Sequence, residues 1–155
     1  MRAFVMTAFV AAVTAGTAVA AHADWKVSTY TDQMTDRTET AATLPATAGQ
    51  ATLRVACIKG RPFPEINFPS HVGFIRIDAS YRFDDGAVAS HTAPLSRDGR
   101  SLWLWSGRQA GAAALKRISD AKRLRVQIFP LGAPVEFLDF NLAGAGKAIQ
   151  QVQCK

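Results

Sequence analysis

Cysteine is scarce: Cys57 and Cys154 are the only two in 155 residues. Two thiols are too few for a cysteine-ligated metal cluster, and their wide separation excludes a C-x-x-C redox centre. Histidine is also sparse, with His22, His71 and His91 making up the full set. No H-x-H or H-x-x-x-H pair occurs, whereas a zinc-type site gathers three or four ligands. Neither a metal nor a cofactor is expected. The chain also lacks a G-x-S-x-G nucleophile elbow and a phosphate-cradling glycine loop. Gly144-Ala145-Gly146-Lys147 has too little of a P-loop and reads as a helix start. The acidic pair Asp84-Asp85 precedes Gly86, and Asp-Gly is explained by the backbone needs of a tight turn. These absences favour a non-enzymatic protein. A hydrolase with an unrecognised site around His71 or His91 is the alternative they leave.

Long apolar runs are missing beyond the first 23 residues. That opening stretch has its own logic. Arg2 supplies a positive start, Phe4 to Val13 an uncharged apolar segment, and Ala21-His22-Ala23 a small-x-small cleavage site. This is the pattern of a secretory signal peptide. Thr7, Thr14 and Gly16 make it too weakly apolar for the ~20-residue span of a membrane helix. The expected organisation is therefore a signal peptide over 1–23 and a single β-rich domain over 24–155. No stable membrane insertion is expected after cleavage. The short leader with its Ala-x-Ala end points to the bacterial periplasm. A domain of about 130 residues is enough to bury one core.

In an oxidising compartment the two cysteines are expected to pair. The bond would close a loop of about a hundred residues, worth roughly 4 kcal/mol in loop-closure entropy.

Apolar alternation predicts a mainly β chain. Strands are expected near Trp25–Tyr30, Thr38–Leu44, Leu53–Ile58, Val72–Asp84, Ala87–Thr92, Ser101–Ser106, Arg123–Phe129 and Val135–Leu142. Leu53, Val55 and Cys57 share a face, which places Cys57 toward the core. Asp85-Gly86 predicts a two-residue hairpin turn. Pro62, Pro64 and Pro69 predict a loop or edge crossover over residues 60–70. A phase shift between Phe137 and Leu138 predicts a bulge. A helix is expected over 107–119, with Ala110, Ala113, Ala114, Leu115 and Ile118 inward. A short helix over 145–152 leads to Cys154. The fold class is an antiparallel β-sandwich or curled sheet, with one helix between late strands and one short C-terminal helix tied down by the disulfide.

Charge is one-sided. Removing Arg2 with the leader leaves 17 Lys and Arg against 12 Asp and Glu. On the expected strands, Arg76 and Arg82 alternate with Asp78 and Asp84, while Arg123 and Arg125 face outward on a later strand. One reading is a solvated face with cross-strand ion pairs. The other is a positive surface for an anionic partner, such as peptidoglycan, lipopolysaccharide or an acidic protein. Nucleic acid fits poorly, since no recognition motif accompanies the charge. Trp103 and Trp105 share a face and suit either sheet core or stacking on a sugar ring. Phe63 and Phe68, in the proline segment, are candidates for an exposed apolar contact. The candidate binding surface is thus Arg76, Arg82, Arg123, Arg125, Phe63 and Trp105.

Several segments together resemble a known family. Arg54-Val55-Ala56-Cys57 lies on an early strand and Tyr81-Arg82-Phe83-Asp84 precedes a turn. Phe140-Asn141-Leu142-Ala143-Gly144, Ala148-Ile149 and Cys154 close the chain. Their order resembles the VasI/TagO-like family of small periplasmic proteins associated with type VI secretion. There an "L-x-x-x-C" strand, a "Y-R-x-D" strand and an "F-x-L-x-G…A-I…C" ending occur in that sequence. The resemblance spans roughly Trp25 to Cys154. It implies a β-rich fold and an accessory role beside an envelope or secretion-system protein, and it brings no catalytic residues. The chain departs from the pattern in its proline-rich segment at 60–70, and in the lack of a tryptophan-bearing segment between Ser90 and Ser101.

Overall fold

The computed structural model describes residues 23–33, 36–58 and 60–154. The leader read over 1–23 lies outside these, apart from Ala23. In chain order the elements are β1 (Lys26–Asp32), β2 (Arg37–Pro45), β3 (Thr52–Ile58), β4 (Arg61–Asn67), β5 (Arg76–Phe83), β6 (Ala89–Pro94) and β7 (Ser101–Leu102). Then come α1 (Arg108–Asp120), β8 (Arg123–Phe129), β9 (Glu136–Asn141) and α2 (Ala145–Gln150). The strands form a five-stranded sheet in the order β1-β2-β3-β4-β7 and a four-stranded sheet in the order β6-β5-β8-β9. Every pairing is antiparallel.

One core joins the two sheets. Leu44, Leu53 and Ile66 of the first meet Ile77, Phe83, Leu124, Val126, Ile128, Leu138 and Phe140 of the second. The pattern that drives this is clearest in β8, where Leu124, Val126 and Ile128 are buried between half-exposed or exposed neighbours. A strand with one apolar face reaches its lowest free energy with that face against another sheet.

A smaller cluster fills one end, where α2 replaces the second sheet. Ala42 and Val55 pack with Ala148 and Val152, beside Cys57 and Cys154. Cys57 and Cys154 are disulfide-bonded, with their Cα atoms 5.4 Å apart. The bond fastens the chain end to β3. A helix as short as α2 is marginal by itself, so packing and the covalent tie hold it in place.

The segment at 60–70 is not the expected loop: β4 occupies most of it and pairs with β3 over all seven residues. Pro62 and Pro64 are two residues apart, so their missing N–H groups fall on one side of the strand. β7 pairs only with Ile66 and Asn67, which leaves the strand edge beside the prolines free of any ladder. The expected strand over 101–106 shrinks to Ser101–Leu102. Beyond it Trp103 turns so that its indole N–H donates to buried Glu65 at 3.1 Å. Arg54 donates to the other carboxylate oxygen of Glu65 at 2.7 Å.

Two local expectations also change. The β5–β6 turn is wider than two residues, and its positive φ belongs to Asp84, at 48°, not to Gly86. The Asp84 carboxylate accepts the backbone N–H groups of Lys122 and Arg123, at 3.0 and 2.9 Å, so this turn is shaped by β8 rather than by local sequence. No bulge interrupts β9: its register with β8 is continuous from Arg123↔Asn141 to Ile128↔Glu136. The apparent phase shift arises because Phe137 is an outward apolar residue, 63% exposed.

In α1 the buried residues are Gly111, Ala114 and Ile118. Ala110 and Ala113 are exposed, contrary to expectation. Alanine is too small to fix which side of a helix faces inward. The contact with β4 does so here: a side-chain carbon on Gly111 would sit 3.3 Å from the Phe63 ring. No helix among the described residues is long and apolar enough to cross a membrane.

Candidate functional site

The outward face of the four-stranded sheet carries the site. Side chains alternate along each strand, so the residues between the buried ones all emerge on this face. On β5 these are Arg76, Asp78, Ser80 and Arg82. On β8 they are Arg123, Arg125, Gln127 and Phe129. Register aligns them into rows. Ser80 lies opposite both Ser90 and Gln127, and Gln127 opposite Phe137. In the next row Arg82 faces Arg125, and Arg125 faces Asp139.

These two rows form a groove of about 310 Å³. Ser80 and Gln127 lie on its floor, with Arg82, Arg125 and Asp139 along one side and Phe137 projecting beside them. Val88, from the β5–β6 connection, and Ala48 stand at its margins. Ala48 is held there by backbone pairing with the edge strand: Thr47 N–H donates to the Asp139 carbonyl and Asp139 N–H to the Ala48 carbonyl, at 2.7 and 3.1 Å. Gly49 makes that docking possible. Its φ is +84°, and a Cβ there would fall 2.7 Å from the Phe137 carbonyl oxygen.

The charged groups differ in how far their partners satisfy them. Arg123 donates twice through Nε to the Asp139 carboxylate, at 2.8 and 3.0 Å, and again through a terminal nitrogen. These hydrogen bonds, with the positive charges of Arg123 and Arg125, hold the Asp139 carboxyl below the usual carboxylate range although partial burial opposes this. The same carboxylate holds the Arg123 guanidinium above its ordinary range. Arg125 donates to the Asp84 carbonyl at 2.7 Å and to the exposed Asp85 carboxylate at 3.0 Å, while its Nε is buried without a partner. Arg82 has no ion-pair or hydrogen-bond partner among the described residues, and it is half-buried. Like charges directly opposite on neighbouring strands destabilise a sheet. The Arg82–Arg125 row therefore carries a repulsion that Asp85 and Asp139 offset on the Arg125 side only.

The sequence-derived candidates divide accordingly. Arg82 and Arg125 line the groove, and Arg123 flanks it clamped to Asp139. Arg76 shares the face but stands at its far end, donating to the Thr92 carbonyl at 2.7 Å. Trp105 is not on a surface: it is 5% exposed and packs edge-on against Tyr81 and stacked on Phe83. Phe63 lies half-buried beside α1, and Phe68 is in the core. Both belonged to the segment read as a loop or edge crossover; β4 carries Phe63 against α1, and Phe68, just past the end of β4, is buried in the core. Sequence reasoning missed Phe137, Gln127, Ser80 and Val88. The signal available was Phe137, an apolar residue at an outward position in otherwise clean alternation.

The histidines are placed elsewhere. His91 bonds through Nε2 to the Leu104 carbonyl at 2.6 Å and packs edge-on against Tyr81. His71 lies edge-on to Phe74. Among the described residues no three His, Cys, Asp or Glu side chains gather as a metal site would require. Comparison with protein-family models, with curated proteins and with solved structures finds no match to this chain.

Proposed function

We propose that this is a non-catalytic exported binding module of the bacterial envelope, which holds an anionic glycan in the groove on its four-stranded sheet. The observation that carries the reading is Arg82, half-buried, without a partner among the described residues, and directly opposite Arg125. A carboxylate or phosphate spanning the two guanidiniums would relieve their repulsion and accept charge-assisted hydrogen bonds. Phe137 offers an apolar face beside that anion, against which a sugar ring can pack. Ser80 and Gln127 supply the small number of polar groups that fix orientation, and the groove volume suits one or two sugar residues.

The disulfide is consistent with an oxidising compartment, and the leader-like residues 1–23 support export to the periplasm. The accessory role that the VasI/TagO-like resemblance implies is compatible with glycan binding, and the link to type VI secretion rests on that resemblance alone. A hydrolytic reading would want a histidine in the groove, whereas His91 is committed to Leu104 and His71 lies against Phe74.

The test is retention of the mature, oxidised protein on purified peptidoglycan across a salt series. Retention should be strongest at low salt, because a charge-driven contact is screened as ionic strength rises. Arg82→Ala and Arg125→Ala should each weaken it about tenfold, the worth of one charge-assisted contact. No retention at low salt, or equal retention by the double variant, would sink the proposal.

A further inference from the structure

A second surface lies at the other end of the same sheet. β5 and β8 are antiparallel and paired through Asp78↔Phe129, so the segment entering β5 adjoins the segment leaving β8. The first carries Phe74 and Ile75, 79% and 78% exposed, and the second carries Leu131, 97% exposed. Phe129 and Val135 beside them are also exposed. Single exposed apolar side chains are ordinary, but several gathered at one end mark an interaction site.

Their setting is held in place. Val72 N–H donates to the Gly99 carbonyl at 3.0 Å, and Leu95 N–H to the Ile75 carbonyl at 2.9 Å. The 96–100 loop therefore braces the segment that presents Phe74 and Ile75, and His71 packs edge-on against Phe74 at 4.8 Å. The same loop brings Arg97 and Arg100, both exposed, to join Arg76 at the start of β5. The nearby carboxylates keep their charge, since Asp98 accepts from Ser96 Oγ and the Arg100 backbone, and Asp78 from Thr92, all neutral donors. The end of the sheet thus combines apolar loop tips with a collar in which three arginines stand against two acids.

We infer that this end docks on an anionic lipid surface, with Phe74, Ile75 and Leu131 entering the headgroup boundary and Arg76, Arg97 and Arg100 meeting lipid phosphates. Two features favour lipid over a protein partner. The tip side chains stand almost wholly clear of the fold, so they line no pocket for a partner's anchor residues. Shallow insertion plus electrostatic attraction is how reversible interfacial binding is built, each signal being too weak alone. The surface is separate from the arginine groove and does not depend on it.

The experiment is co-sedimentation of the mature, disulfide-bonded protein with vesicles of phosphatidylglycerol and phosphatidylethanolamine, and with vesicles of phosphatidylcholine alone. Binding is expected to the anionic vesicles and to weaken severalfold at about 0.5 M salt, where the screening length is only a few ångströms. Leu131→Ser and Phe74→Ser should each lower affinity about tenfold, the worth of one inserted large apolar side chain. Both positions are exposed, so thermal unfolding should be unchanged and will confirm that the variants fold. Arg82→Ala with Arg125→Ala should bind vesicles like the parent. Absence of sedimentation at low salt would overturn the inference. So would undiminished binding by both serine variants, or loss of binding only in the double arginine variant, which would assign the contact to the groove. Self-association abolished by the serine variants without any vesicle binding would make this end an interface between copies and overturn it equally.

Discussion

Removing the disulfide should be the most damaging change that leaves the core composition intact. The bond joins residues 97 apart in sequence. Closing a loop of that length removes conformational freedom from the unfolded chain, worth about 4–5 kcal/mol at 25 °C. The folded state loses little directly. Ala148 and Val152 remain to pack on Ala42 and Val55, and serine is nearly the size of cysteine. The cost therefore acts mainly through the unfolded ensemble. A domain of this size has a total stability of roughly 5–15 kcal/mol, so the loss is a large share of it. Near the midpoint, each kcal/mol moves the unfolding temperature of such a domain by about 3–4 °C. Cys57→Ser with Cys154→Ser should then unfold about 12–20 °C lower than the oxidised parent.

Circular dichroism on the mature protein, with and without dithiothreitol, reads this directly. Reductant should lower the parent's midpoint to that of the double variant and leave the double variant unmoved. Amide exchange should also quicken first in α2, which is the element whose only covalent tie to β3 has been cut. A double variant unfolding within about 3 °C of the oxidised parent would refute the loop-entropy argument, since that shift corresponds to less than about 1 kcal/mol.

Two further outcomes concern the groove wall. Asp139 has its carboxyl held below the usual range by Arg123, so the folded state binds its proton less readily than the unfolded chain does. The stabilisation is present in full above the ordinary carboxylate range and is lost as pH falls through the depressed value. Asp139→Asn should cost up to about 1 kcal/mol at neutral pH, because Arg123 is half-exposed and the pair is screened. The gap from the parent should close in acid, and an equal gap at both ends of a denaturant-unfolding pH series would contradict this. Gly49→Ala should cost about 1–3 kcal/mol, combining a left-handed backbone with a clash against the Phe137 carbonyl. It should also reduce glycan retention by displacing Ala48, and an unaltered melting temperature would show that the 46–50 segment does not need its docked position.

Much of the scaffold was legible because it rests on local pattern. The alternation of Leu124, Val126 and Ile128 is enough to define β8 and its buried face. The pairing of Cys57 with Cys154 follows from there being no other candidate thiol. What was illegible depends on long-range geometry. Pro62 and Pro64 look like breakers until one knows which side of β4 bears the ladder. Trp105 suits either sheet core or a stacking surface until the chain turns after Leu102 and buries it against Phe83. The groove was only half-visible. Its arginines could be named from strand alternation. Arg82 meeting Arg125, however, is a register between strands separated by a hairpin, a two-residue strand and a helix, and no local pattern specifies that.

The architecture also accounts for why the proposed binding face is this one. A sheet in a sandwich has one face committed to the core, and its other face is available unless helices cover it. Here the helices serve the core side of the five-stranded sheet: α1 lies against β4, and α2 takes the second sheet's place over Ala42 and Val55, fastened by the disulfide. The 46–50 segment covers the β9 edge by pairing Ala48 with Asp139, which protects an edge otherwise open to strand addition. The outward face of β6-β5-β8-β9 is left uncovered between these devices. If that face were merely solvated, its charges would be expected to sit in compensating pairs, as Arg123 and Asp139 do. Arg82 breaks the rule in the same row as Asp139, whose carboxylate is taken up by Arg123, and glutamine at position 82 would relieve the repulsion with Arg125. On the proposed reading, the guanidinium that has no partner among the described residues meets one supplied from outside the chain.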